Sequence, residues 1–118
     1  MANSILRDKA KEFAKEIVFI CRDMKKDKKE TVLINQILRS ATSIGANIFE
    51  AKYAQGRKDF ISKLEIALKE ASETGYWLEL LRRTNYIDEH QYKQLSGKCA
   101  SLRVMLIASC KTAKENGR

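Results

Sequence analysis

Residues 31–53 read TVLINQILRSATSIGANIFEAKY, and the charged residues among them are Arg39, Glu50 and Lys52 alone. Leu33, Ile37, Ala41, Ile44, Ile48 and Ala51 recur every three or four positions, the period of one helix face, where a half-buried strand would alternate. Ile34, Leu38, Gly45 and Phe49 widen that stripe, so the helix is predicted to be buried on more than one side. Ser40, Ala41, Thr42, Ser43, Gly45 and Ala46 are small enough to let neighbouring helices approach closely, although Gly45 costs about 1 kcal/mol against alanine in helix propensity.

The same period extends outward in both directions. Upstream, Leu6, Ala10, Phe13, Ile17, Ile20 and Met24 form one face, with acid-before-base pairs such as Asp8 with Lys11 and Glu12 with Lys15 on the solvated side. The run KKDKKE, residues 25–30, has no apolar residue and reads as the first connection. Downstream, Ala54, Gln55 and Gly56 make a turn, and a third helix runs from about Lys58 to Thr84 with Phe60, Leu64, Ala67, Leu68, Ala71, Gly75, Leu78 and Leu81 inward. Asn85, Tyr86 and Ile87 form a short connection. Asp88 followed three residues later by Gln91 has a spacing related to the capping box, in which a side chain bonds an orphan backbone N–H. Tyr92, Leu95, Cys99, Leu102, Leu106, Ser109 and Ala113 then mark a fourth helix, with Asn116 and Gly117 as stop residues. Four helices of about 22 to 28 residues, each roughly 33 to 42 Å long and joined by short loops, predict an all-α, antiparallel up-down-up-down four-helix bundle.

The whole chain of 118 residues has the size of one domain, residues 1–118, and contains no proline. Its 44% hydrophobic and 32% charged residues exclude a disordered composition. No apolar run approaches the roughly 18 residues of a membrane span, and residues 1–20 are charged throughout, so the expectation is a soluble, cytoplasmic chain with no membrane partner. Cys21, Cys99 and Cys110 have no CxxC spacing and His90 is the single histidine, which argues for core thiols and against a disulfide framework or zinc site. No cofactor, metal or catalytic constellation is expected, since Walker, GxGxxG and HExxH patterns are missing.

The second and third helices carry more apolar surface than one stripe each requires. Phe49, Tyr53, Tyr76 and Trp77 are the candidate oligomer interface; the alternative is that one helix sits deeper in the bundle. Ser40–Ala51, SATSIGANIFEA, followed by Arg57–Glu73, RKDFISKLEIALKEASE, resembles the bacterial four-helix-bundle proteins encoded within intervening sequences of 23S ribosomal RNA genes. The accessory protein of diversity-generating retroelements is similar to the same group. The matching positions are Ser43, Ile44, Asn47, Ile48, Glu50, Lys58, Asp59, Phe60, Ile66, Ala67 and Leu68, while Phe49 stands where a small residue is expected and Ala51 where glycine is frequent. The resemblance implies a ring-like homopentamer with a central channel and a basic surface. It also implies binding of RNA or DNA, with a reverse transcriptase as a protein partner in the retroelement branch. Ser43, Asn47, Glu50, Asp59 and Phe60 form the structural motif. Asn47 and Glu50 are placed to bond across to polar groups of the third helix, such as Lys58, Ser62, Glu70 or Ser72, and fix register; the alternative makes Glu50 part of a ligand site.

The net charge of +8 is unevenly spread. Residues 1–30 hold nine bases against six acids and residues 85–118 six against three, while each of the two middle segments has an excess of one base. From His90 to Lys114 there are five bases, Lys93, Lys98, Arg103, Lys111 and Lys114, and no acid. Arg103, Lys111, Lys114 and Arg118 fall near one face, so this helix is the candidate nucleic-acid surface, binding phosphates through counterion release. The competing reading is that Lys111 and Lys114 complement the helix dipole and that the protein is an assembly or scaffold module only. A remote alternative is enzymatic: Arg83, Thr84 and His90 make an Arg-x6-His spacing that resembles the motif of HEPN-type helical ribonucleases.

Overall fold

The computed structural model describes residues 2–27 and 31–116. It contains four α-helices: α1 (Ala2–Asp27), α2 (Val32–Ala51), α3 (Arg57–Arg83) and α4 (Glu89–Glu115). Lys28 to Glu30 of the expected first connection, and the stop residue Gly117 with Arg118, lie outside the described residues. Among the described residues α1 packs on α2 and α4, α3 packs on the same two, and the backbones of the diagonal pairs stay apart. Cross-helix contacts fix the directions. Ser40 meets Thr74 and Glu50 meets Lys63 between α2 and α3, while Ala71 meets Cys99 and Glu65 meets Lys114 between α3 and α4. Position rises on one helix as it falls on the next, so the bundle is antiparallel and runs up-down-up-down, with extents of 51 × 22 × 20 Å.

One core runs the length of the bundle. Leu6, Ala10, Phe13 and Ile17 of α1 meet Ile34, Ile37, Ala41 and Ile44 of α2, Leu64, Ala67 and Leu78 of α3, and Leu95, Leu102 and Leu106 of α4. Each large aliphatic or Phe side chain so buried stabilises the fold by roughly 1.5–3 kcal/mol. The inward positions differ from the predicted stripes by one residue in several places. Cys21 is buried where Ile20 was expected, Ile34 where Leu33, Thr74 where Gly75, and Cys110 where Ser109; Ile20, Leu33, Gly75 and Ser109 are half-buried. Phe60, Leu68, Tyr92 and Ala113 are also half-buried at the core margin. A helix packed against two neighbours buries an arc wider than one three-four row. The rotation that selects its centre comes from packing, not from the apolar pattern.

Thr74 is accommodated because its hydroxyl is satisfied. Oγ1 lies 2.9 Å from Ser40 Oγ and 2.8 Å from its own Glu70 carbonyl, and Ser40 Oγ lies 3.3 Å from the Ile37 carbonyl. The expected close approach occurs at Gly45, where an added Cβ would lie 3.8 Å from the Ala10 carbonyl oxygen of α1.

The connections follow local chemistry. Asn85 ends α3 at φ 65°, and the Tyr86 and Asn85 amides donate to the Leu81 and Arg82 carbonyls at 2.8 and 3.1 Å, a Schellman ending. Asp88 then starts α4: its Oδ1 accepts from the Gln91 amide at 2.8 Å, and the Gln91 side chain accepts from the Asp88 amide at 3.0 Å, completing the predicted capping box. Between α2 and α3, Gly56 takes φ 133°, a conformation that disfavours a Cβ. All three cysteines are free and buried. Burial pushes the Cys21 and Cys99 thiols up to about 11, against the opposing charges of Lys25 and Arg103 respectively.

Candidate nucleic-acid interface

The five bases predicted as the nucleic-acid surface are all exposed on α4, but they divide between its flanks. Lys98 turns towards α1, with Nζ 2.6 Å from Glu16 Oε1. Lys114 turns towards α3, 2.8 Å from Glu65 Oε2, and the hydrogen bond to that carboxylate raises its pKa above the ordinary lysine range. Lys93, Arg103 and Lys111 form no hydrogen bond or ion pair among the described residues. The uncompensated part of the helix is therefore narrower than the count of bases suggested. Val104 and Ile107 stand among these three bases, 67% and 51% exposed; residues 104–108 are apolar without a break, so the sequence does not mark which of them face outward.

The four aromatic residues proposed for assembly form two sites. Phe49 and Tyr53 pack on each other with ring centroids 5.4 Å apart at the end of α2, and both are exposed. Tyr76 and Trp77 meet edge to face at 5.0 Å on α3, some 20 residues and about 30 Å beyond the α2–α3 turn. Trp77 is half-buried on the α2 side; its Nε1 donates to Glu73 Oε2 at 2.9 Å, and Glu73 also pairs with Arg39 of α2. Tyr76 is exposed on the other flank, where it lines a groove shared with α4.

The motif residues are engaged mostly within the fold. Ser43 Oγ donates to the Arg39 carbonyl at 2.8 Å and Asn47 Nδ2 to the Ser43 carbonyl at 2.8 Å, so Asn47 bonds its own helix instead of reaching α3. An amide four residues ahead of a carbonyl on the same helix face reaches it without crossing a gap. Glu50 does reach a polar group of α3, Lys63, at 3.0 Å. Asp59, in the first turn of α3, accepts from the Gln55 amide at 3.0 Å and so closes the turn in front of its own helix. Phe60 packs half-buried under the ends of α2 and α4. Glu50, Asp59 and Phe60 thus shape the α2–α3 corner, while Ser43 and Asn47 bond within α2.

Arg83 and His90 are both exposed, one ending α3 and the other in the first turn of α4. It is Arg82, not Arg83, that bridges the connection, with Nε 2.6 Å from Glu89 Oε2. Among the described residues no group of three or more His, Cys, Asp or Glu side chains is placed to hold a metal ion. No helix there is long and apolar enough to cross a membrane.

The profile of the family described as 23S rRNA-intervening sequence protein matches residues 2–108. The chain belongs to that family. The resemblance drawn from residues 40–73 therefore extends over nearly all of α1 to α4. Among solved structures, a protein of unknown function from the S23 ribosomal protein family of Bacteroides thetaiotaomicron is 50% identical in sequence. It superposes with a TM-score of 0.91, over 94% of this chain and 99% of that one. Comparison with curated proteins finds no match.

Proposed function

We propose that this family member is a non-enzymatic, cytoplasmic, homo-oligomeric binding protein that holds RNA or DNA on α4. The observation that carries the reading is the set of three bases, Lys93, Arg103 and Lys111, on a helix without an acid from His90 to Lys114. Cations free of protein partners are available to displace counterions from phosphate, which gives salt-dependent binding of low sequence selectivity. Replacing all three by Glu is expected to abolish binding of a labelled RNA at low salt, whereas Lys98→Ala, on the α1 flank, leaves it unchanged. Unchanged affinity in the triple variant would refute the reading, as would wild-type protein that binds neither RNA nor DNA.

Assembly is supported by the exposed Phe49–Tyr53 pair, which a monomer leaves in water. A patch at one end of the protomer suits a head-to-tail ring, in which Phe49 and Tyr53 of one copy meet a different face of the next, and the family resemblance implies five copies. Light scattering is expected to give a multiple of the 13.5 kDa chain mass that drops to the monomer in Phe49→Asp. A second reading, assembly without nucleic acid, is favoured by the same pair and predicts that wild-type oligomers ignore RNA and DNA at low salt.

A further inference from the structure

Between α3 and α4 lies a groove of about 380 Å³ that the bundle leaves unfilled. Its floor includes Gly75 and Ala100, and a Cβ added at Gly75 would meet nothing within 4 Å. Gly45 sits against a neighbouring helix, whereas Gly75 has open space above it in mid-helix, so helix packing does not account for the missing side chain.

We propose that this groove takes a base of single-stranded nucleic acid, stacked on Tyr76 with its phosphate at Arg103. The inference rests on the nucleic-acid reading above and names the form of strand that is bound. Tyr76, 60% exposed, offers a stacking surface on one wall. Tyr92 closes the far end with the Arg82 guanidinium stacked over it, 5.4 Å from the ring centroid. Base–aromatic stacking tolerates any base, but it requires a base face that a duplex hides.

The charges at the two ends orient such a ligand. The antiparallel register puts Arg103 at the Ser72 end of the groove and Glu79 beside Tyr92, about 10 Å along α3 from Ser72. Neither Arg103 nor Glu79 has a hydrogen bond or ion pair among the described residues. A phosphate is attracted at Arg103 and repelled at Glu79, while the Glu79 carboxylate accepts an N–H from the edge of a base. Lys93 and Lys111 on the same helix extend the cationic path for the backbone on either side.

The test is fluorescence anisotropy at about 50 mM salt. The probes are a labelled adenosine ribo-oligonucleotide of about 12 nucleotides and a duplex of the same length. Wild-type protein is expected to bind the single strand about tenfold tighter than the duplex. Gly75→Met, which fills the groove, and Tyr76→Ala are each expected to weaken the single strand about tenfold and leave the duplex unchanged. Gly75→Ala, which leaves room above the floor, and Tyr76→Phe, which keeps the ring, are expected to bind as wild type. Quenching of the single Trp77, whose ring touches Tyr76, reports occupancy independently. Equal binding of strand and duplex, or a folded Gly75→Met that binds as wild type, would overturn the groove assignment and spare the nucleic-acid reading. Absence of binding to both probes would overturn both.

Discussion

Thr74 Oγ1 lies 2.9 Å from Ser40 Oγ in the centre of the α2–α3 seam, and both residues are fully buried. Each hydroxyl has a carbonyl of its own helix as a second partner, Glu70 for Thr74 and Ile37 for Ser40. Removing either hydroxyl therefore orphans nothing. Thr74→Val and Ser40→Ala are each expected to destabilise by about 1 kcal/mol in urea unfolding. The double variant should cost less than their sum, because the shared bond is lost only once. Strict additivity would mean that the two hydroxyls do not interact.

The α3–α4 connection depends on two residues with different roles. Asp88→Ala removes the cap of α4 and is expected to cost about 1 kcal/mol. Asn85 sits in the left-handed region, so Asn85→Gly should be tolerated, while Asn85→Val should destabilise by about 1–2 kcal/mol. Chemical denaturation separates these outcomes; a neutral Asn85→Val would contradict the helix ending.

Two glycines should respond in opposite directions to the same change. Gly45→Ala adds a Cβ at ordinary contact distance from Ala10 and gains helix propensity, so a stabilisation of up to about 1 kcal/mol is expected. Gly56→Ala places a Cβ at φ 133° and should destabilise by about 1 kcal/mol or more. Thermal melts of the two variants give the sign directly.

Alkaline pH should weaken the fold. A thiol raised by burial to about 11, as Cys21 and Cys99 are, holds its proton more tightly folded than unfolded. Its contribution is complete below the unfolded value of about 8.5 and is lost as pH rises through the folded one. Cys110 shifts the same way, through burial first and then the Glu65 carboxylate. Lys63 and Lys114, raised mainly by hydrogen bonds to Glu50 and Glu65, lose their contributions above the ordinary lysine value of about 10.4. The melting temperature is expected to be level from pH 7 to about 8.5 and then to fall, with all three native thiols slow towards a disulfide reagent at pH 8. A level curve to pH 10.5, or rapid labelling, would contradict this.

The helices were legible because buried positions repeat with the helical period, and the turn before α4 because Asp88 and Gln91 carry their own geometry. Thr74 was passed over because a hydroxyl is counted as polar until its partner is known, and Ser40, that partner, is 34 residues away. The basic face was overcounted for a related reason. Lys98 and Glu16 are 82 residues apart in sequence, and a charge tally along one helix does not register an acid on another. In sequence Asn85 reads as part of a connection, although its tolerance of the left-handed region is a usable stop signal. The groove above Gly75 was not legible at all, since a sequence gives a glycine but not the empty space beside it.

An even number of alternating helices returns the chain to the end from which it started. Leu6 and Ile48 share one pocket with Phe60, Phe60 shares another with Ala113, and the Arg57 guanidinium reaches the Asn116 carbonyl at 3.4 Å. Ala2 and Asn116 therefore emerge beside the α2–α3 corner. A short linker between them would allow circular permutation with new ends opened between α3 and α4. A fluorescent domain attached beyond Ala2 or Asn116 would crowd Phe49 and Tyr53, whereas one inserted at the opposite pole would leave that corner uncovered.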